Sequence, residues 1–305
     1  IRDLVRSRGL GDVYKRQRLV RTPRQGGIGL TAMWNEDFHH ALHALLTGEA
    51  DGYYRDFGRV ADLAKVLTEG LAYDGAYSAH RRRRHGRSAV GVPGHRFVAC
   101  LQNHDQVGNR AAGERMGRLV ENGALLVGAA LVMTSPFVPL LFAGQEWGAS
   151  TPFLYFTDHG DPDLAEAVRR GRRAEFAAFG WDPERVPDSQ AEETFLRSKL
   201  RWDEREEEPH RSILGWYRAL ADLRRRLPPL GDDDLSGLQV DFSEEDRWLS
   251  LERGPLLVAA SLSARPRRVP REGSWEPVLA SHPGARAFEG GLHLPGWAVG
   301  IWQRG

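Results

Sequence analysis

One cysteine, no apolar run long enough for a membrane span and almost no net charge: each shortage removes a class of protein. Cys100 alone cannot form an internal disulfide, which suits a reducing compartment such as the cytoplasm. It lies in an apolar stretch and reads as a small core residue rather than a nucleophile. No stretch approaches the roughly 18 consecutive apolar residues of a membrane helix, so no membrane association is expected. A net charge of +1 gives no general pull toward nucleic acid or acidic lipid. Neither a phosphate-cradling P-loop nor a dinucleotide glycine fingerprint is present, and no cofactor is expected. Internal repeats are absent, and the arginine run Arg81–Arg84 is the one low-complexity segment.

What remains is an ordinary globular mixture, 41% hydrophobic and 27% charged, in 305 residues. That length allows one large domain with a small one, or two of medium size. Residues 1–17 are basic and lack an apolar h-region, so they are no signal peptide. They resemble a spurious leader, and the protein proper is expected to begin near Arg18.

Three strand-then-helix units follow in series. The spacing predicts a strand over Ile28–Met33, a helix over Phe38–Thr47 and a second helix over Arg59–Glu69. A loop over Tyr77–His95 leads to a buried strand ending at Leu101. A long helix is expected over Asn122–Met133 and a further buried strand over Val138–Ala143, which delivers Gly144-Gln145-Glu146-Trp147. Residues 151–209 read as loop-rich, and a final amphipathic helix as Ile213–Leu227. This order argues for parallel β/α architecture. From about residue 236 short alternating segments predict a small antiparallel β-domain: Leu238–Phe242, Trp248–Glu252, Leu256–Leu262, Trp275–Leu279 and Ala298–Trp302.

The polar groups concentrate where the second strand ends, in Gln102-Asn103-His104-Asp105-Gln106-Val107-Gly108-Asn109-Arg110. In barrels of parallel strands that end carries the chemistry. An ionised Asp105 there can stabilise developing positive charge or hold substrate hydroxyls, with Asn103 and His104 supplying donors. An aspartate that merely caps a loop is the plainer alternative. His39 and His43 lie four apart and would share a helix face, as two ligands of one ion would, with Glu49 or Asp105 as a third. No HExxH pattern accompanies them, so no metal is expected. Arg81–Arg84 lacks the supporting charge and interleaved aromatics of a nucleic-acid surface and reads as a solvated or substrate-facing loop. Trp34, Tyr53, Tyr54, Trp147, Phe153, Tyr155 and Phe156 crowd the loops, where aromatic faces suit the apolar faces of sugar rings.

These segments resemble the malto-oligosyltrehalose trehalohydrolases of the α-amylase superfamily of glycoside hydrolases. The resemblance rests on Trp34-Asn35-Glu36-Asp37-Phe38-His39-His40, Leu46-Thr47-Gly48-Glu49, Gly52-Tyr53-Tyr54 and the run from Gln102 to Arg110. It continues through Thr151–Asp158, Gly171-Arg172-Arg173 and Ser198-Lys199-Leu200. It implies retaining hydrolysis, on a (β/α)₈ barrel, of the α-1,4-glucosidic bond beside the terminal trehalose of a maltooligosyl trehalose. Such chemistry needs a nucleophile and an acid/base carboxylate about 5–5.5 Å apart. In this superfamily they end the fourth and fifth strands, and the Asn-His-Asp element ends the seventh.

The resemblance therefore makes Asp105 the transition-state stabiliser. It makes Asn103, His104, Gln106, Arg110, Trp34, Asp37, His39, Glu146 and Tyr155 substrate-binding residues. It also implies a partner reaction, maltooligosyl trehalose synthase. Strands six to eight would be Leu30–Met33, the strand ending at Leu101 and Val138–Ala143. The expected organisation is a leader (1–17), the C-terminal part of a barrel (18–230) and an all-β domain (236–305), in a fragment without nucleophile or acid/base. Alone it is expected to be poorly soluble and inactive. Gln145 departs from the family's Gly-Glu-Glu pair, which puts one polar contact in question. A glycogen-branching or other amylase-superfamily enzyme is the neighbouring reading. A non-catalytic carbohydrate-binding remnant and a metal-dependent hydrolase using His39, His43 and Asp105 are the readings of other classes.

Overall fold

Asn35 sets the first β/α step. Its side-chain oxygen accepts from the Phe38 amide at 3.1 Å, and its amide nitrogen donates to the Gly70 carbonyl at 2.9 Å. It thereby caps helix α1 (Glu36–Thr47), which follows strand β1 (Met33–Trp34) and ends at Gly48 in the left-handed region, φ 77°. The computed structural model describes residues 17–178 and 186–305. The expected leader thus lies outside the described residues apart from Gln17, which is buried and opens a 3-10 turn.

Strand β1 is shorter and later than the spacing predicts. Residues 28–30 bond back to the Arg18–Arg21 segment, and the Leu30 and Thr31 carbonyls take the Arg96 guanidinium, so the ladder starts only at Met33. Helix α2 (Val60–Glu69) follows. The expected loop after it contains a hairpin, β2 (Asp74–Ser78) and β3 (Arg83–Gly86), with Arg82 at φ 53° in the turn. Asp56 organises that hairpin, accepting from Tyr73 Oη, Ser78 Oγ and the amides of Ala79 and His80. Burial raises its pKa, but these donors outweigh burial and hold the carboxyl below the usual carboxylate range.

Strand β4 (Phe97–Cys100) comes next, then helices α3 (His104–Gly108), α4 (Met116–Leu119) and α5 (Asn122–Thr134), and strand β5 (Val138–Leu140). Helix α5 is apolar on every side and accordingly buried. Strands β1, β4 and β5 form a three-stranded parallel sheet in the order β1-β4-β5, with Trp34 opposite Val98 and Cys100 opposite Leu140. Parallel neighbours need crossovers, and α1, α2 and α5 lie in them. Phe38, Phe97 and Phe137 meet edge-to-face, Phe137 lying 5.7 Å from Phe38 and 5.6 Å from Phe97. Cys100 is buried in this core.

The segment read as loop-rich contains helices α6 (Pro162–Ala178) and α7 (Glu192–Ser198). Asp161 caps the first through the Asp163 amide at 2.9 Å. It is rich in charged residues, with ion pairs such as Glu166–Arg169, and so reads as a polar loop in the sequence. Helix α8 (His210–Arg226) and the short α9 (Pro228–Gly231) complete the helices.

The antiparallel tail is present, with more strands than the alternation shows. Strands β6 (Gln239–Ser243), β7 (Trp248–Arg253) and β8 (Leu256–Ser261) precede β9 (Arg267–Pro270) and β10 (Trp275–Ala280). Strands β11 (Arg286–Phe288), β12 (Gly291–Leu294) and β13 (Val299–Arg304) follow. They form a five-stranded sheet in the order β10-β13-β8-β7-β6 and a three-stranded one, β11-β12-β9. Trp248, Leu257, Val269, Trp275, Leu292 and Trp302 from both sheets share one core. Glu244 of the turn after β6 accepts the Val60 and Ala61 amides at 3.0 and 3.1 Å, a carboxylate at the positive end of α2.

Two compact units result. One comprises the described residues up to Leu101 with Gly123–Leu140 and Arg218–Gly305; the other comprises Gln102–Asn122 and Leu141–Tyr217. Among the described residues no helix is long and apolar enough to cross a membrane.

Candidate functional site

Strand β4 runs out at Cys100, and four residues later the chain has entered the one-turn helix α3. Asn103 makes that turn. Its Oδ1 accepts the amides of Asp105 and Gln106 at 2.9 and 3.1 Å, while Gln106 Oε1 accepts the Asn103 amide at 2.7 Å. This reciprocal capping box spends Asn103 and the Gln106 oxygen on the backbone. The same geometry turns the His104 and Asp105 side chains outward, 64% and 73% exposed, with His104 Nε2 3.4 Å from Asp105 Oδ1. Val107 and Gly108 are buried and anchor the turn from behind.

The remaining candidates of this unit are held by ordinary contacts. Arg110 Nε lies 3.4 Å from Glu114. Glu146 sits half-buried in the 3-10 turn Gln145–Trp147, between Gly144 and Gly148, both at positive φ. Gln145 is buried and donates to Tyr217 Oη at 2.8 Å. Tyr155 is 39% exposed and has the Arg172 guanidinium 4.2 Å over its ring. Arg172 also donates to the Gly108 carbonyl at 2.8 Å and to Asn109 Oδ1 at 3.0 Å. A cavity of about 10 Å³, room for roughly one water, is lined by Arg110, Leu154, Tyr155, Arg172 and Ser189.

Two residues of this unit have no forecast in the sequence. Glu204 is buried and accepts from Trp147 Nε1 at 3.0 Å and from the Ser150 amide and hydroxyl at 3.0 and 2.6 Å. Burial opposes its charge, but the Ser150 and Trp147 donors prevail and lower its pKa. Arg115 donates to the Thr151 and Ala143 carbonyls, and burial pulls it down to about 10. Both lie in polar stretches where a charged residue reads as solvated.

In the other unit Asp37 and His39, two of the expected substrate contacts, are buried. Asp37 is wholly buried, and its Oδ2 accepts the amides of Ala72 and Tyr73 at 3.0 Å each. It is a structural anchor. His39 is buried too, its Nδ1 2.8 Å from the Leu101 carbonyl and its Nε2 3.0 Å from Tyr54 Oη. Burial, then neighbouring His43, lowers its pKa to about 3. His43 stacks on Tyr54 at 4.3 Å and meets Glu49 at 2.8 Å, and His40 stacks on Tyr53 at 5.0 Å. These rings partner one another, because a histidine-rich helix face needs polar and π partners once buried. Trp34 is half-buried at the end of β1. Among the described residues no group of three or more His, Cys, Asp or Glu side chains could hold a metal ion.

Comparison with known proteins fits this arrangement. A family model described as a domain of unknown function (DUF3459) matches residues 233–301, the antiparallel tail. The malto-oligosyltrehalose trehalohydrolase of Arthrobacter ramosus is 47% identical over 285 residues, covering 93% of this chain and 48% of that protein. That of Mycobacterium tuberculosis is 43% identical over 272 residues, covering 87% and 47%. The solved structure of a "Putative alpha Amylase" from Salmonella typhimurium superposes with a TM-score of 0.79 at 37% identity, covering 90% of this chain and 47% of that one. The chain spans about half the length of the curated relatives it matches. Over that half, the chain is similar to the malto-oligosyltrehalose trehalohydrolases, at 41–47% identity to those of Arthrobacter ramosus, Mycobacterium tuberculosis and Brevibacterium helvolum.

Proposed function

We propose that this chain is part of a glycoside hydrolase that releases trehalose from maltooligosyl trehalose. The bond cleaved is the α-1,4-glucosidic bond beside the terminal trehalose unit, with retention. In this reading β1, β4 and β5 are the sixth, seventh and eighth strands of a (β/α)₈ barrel. Residues 18–230 belong to the barrel and 236–305 form the accompanying β-domain. The substrate must be supplied by a reaction that builds a trehalose end onto a maltooligosaccharide, a maltooligosyl trehalose synthase.

Asp105 stabilises the oxocarbenium-like charge of the transition state, and the exposed His104 beside it binds sugar hydroxyls. Arg110, Glu146, Tyr155 and Trp34 are assigned to substrate contact. Asn103 and Gln106 act one step back, as the capping box that aims Asp105. Nucleophile and acid/base are assigned to no residue of this chain, so the chain alone gives no turnover.

The observation that carries the reading is identity of 41–47% with curated trehalohydrolases along most of the chain, joined to an outward-facing carboxylate on the turn after β4. The test is an assay of the full-length protein containing this sequence on maltotriosyl trehalose, with free trehalose measured. Release of trehalose supports it; release of maltooligosaccharides from starch without trehalose would favour a plain amylase, the second reading that the Salmonella likeness suggests.

A further inference from the structure

Helix α3 is five residues long, too short to hold its direction by its own cooperativity. Its orientation, and with it that of Asp105, depends on the burial of Val107 and Gly108 and on what grips its two ends. The N-terminal grip is the Asn103–Gln106 box, which is internal to the segment and would move with it. The C-terminal grip comes from elsewhere in the chain. The Gly108 carbonyl is one of the acceptors that a helix end leaves unpaired, and Asn109 is the C-cap. Arg172 of α6 reaches both, Nη2 donating to the Gly108 carbonyl at 2.8 Å and Nη1 to Asn109 Oδ1 at 3.0 Å. The Tyr155 ring lies 4.2 Å beneath the same guanidinium and fixes its plane. Two bonds and one stacking contact from a single planar fork are beyond a lysine ammonium, which offers a point charge without the fork.

We infer that Arg172 is a positioning residue for Asp105: it fixes the C-terminal end of α3 and so the direction in which the Asp105 carboxylate faces the substrate. The inference rests on the reading of Asp105 as transition-state stabiliser. Arg172 touches no reacting atom in this scheme; its effect passes through the helix.

The experiment uses the full-length protein that contains this sequence, with trehalose release from maltotriosyl trehalose as the readout. Misplacing a catalytic group by about 1 Å can cost on the order of 100-fold. Arg172→Ala and Arg172→Lys are each expected to lower kcat by about 10- to 100-fold and to raise KM by less than they lower kcat, since the loss through Asp105 falls on the transition state while Tyr155, assigned to substrate contact, loses only its stacking partner. In an Asp105→Asn background the same changes should add less than about 3-fold, because the group they aim has already been neutralised. A kcat within about 3-fold of wild type for either variant, or a full multiplicative loss in the Asp105→Asn background, overturns the inference. Should the alanine variant fail to fold, the lysine variant decides alone. A wild-type protein that releases no trehalose refutes the functional reading and the inference with it, whereas an active wild type with unaffected Arg172 variants refutes the inference alone.

Discussion

Arg224 and Arg253 share one acceptor, the carbonyl of Ser135, at 2.8 and 3.2 Å. Arg224 also donates to the Met133 and Phe137 carbonyls, and Arg253 to those of Thr134, Leu230 and Asp232. Two cations thus converge on the negative end of α5, where the chain turns toward β5. Burial first, and Arg224 second, lowers the pKa of Arg253 to about 10, so it stays charged at neutral pH. Arg253→Met keeps the stem volume but strands several buried carbonyls. We expect a loss of about 3 kcal/mol, read as a drop in denaturant midpoint followed by tryptophan fluorescence. A midpoint unchanged from wild type would show that water replaces the guanidinium at no cost.

His39 should tie stability to pH. Its folded pKa of about 3 lies below the ordinary histidine value of 6.5, so between those limits the unfolded chain binds the extra proton. Stability is therefore full above about pH 6.5 and falls as pH drops toward 3, by at most about 1.4 kcal/mol per unit. Asp56 and Glu204 have lowered pKa values, so their contributions are lost only when pH falls below the ordinary carboxylate range. Between about pH 6.5 and about pH 5 those carboxylates stay charged, so the part of the pH dependence that His39→Gln removes is the histidine's own. Denaturation curves at those two values should differ more for the wild type than for His39→Gln. An equal pH dependence in both proteins would contradict the assignment.

Gly113 adopts φ 60°, and a Cβ there would stand 2.6 Å from the Phe153 carbonyl oxygen. The same residue's carbonyl accepts the Phe153 amide at 2.9 Å, so the two backbones cannot separate without losing a bond. Gly113→Ala is expected to cost about 1–3 kcal/mol. Gly160 is the control, since a methyl added there would meet nothing within 4 Å and its φ is not positive. Its alanine variant should lie within about 0.5 kcal/mol of wild type. Thermal midpoints of the two variants make the comparison.

The order of β/α steps, the antiparallel tail and the strand that presents Asp105 are legible in the sequence because each buries a periodic apolar face. The hairpin over residues 74–86 is not, since Asp56 and its side-chain bonds, rather than alternation, hold it together. Helix α6 escapes for the opposite reason: its sequence is rich in charge, and its start is an Asp cap in a run of polar residues. Within the site, sequence shows which residue types gather but not which way they face. Asp37 and His39 stand in the same run as Trp34, yet burial in α1 turns both to backbone and ring partners. Arg172 stands in an arginine-rich run of α6, and only its distance to Gly108 says what it holds.

Asp105 itself gives the sharpest prediction. Its carboxylate is largely exposed, and its backbone amide, not its side chain, takes part in the capping box. Asp105→Asn therefore leaves every bond that shapes α3 in place and removes only the negative charge. In the full-length protein kcat should fall by about 100- to 1000-fold, the range typical of deleting one preorganised electrostatic contact, while the melting temperature stays within about 2 °C. In the proposed reading His104 meets substrate hydroxyls in both ground and transition states, so His104→Ala should raise KM more than it lowers kcat. Steady-state kinetics on maltotriosyl trehalose, beside circular-dichroism melts, separate these outcomes. An Asp105→Asn enzyme with near-normal turnover would mean that the carboxylate faces solvent rather than the reacting sugar.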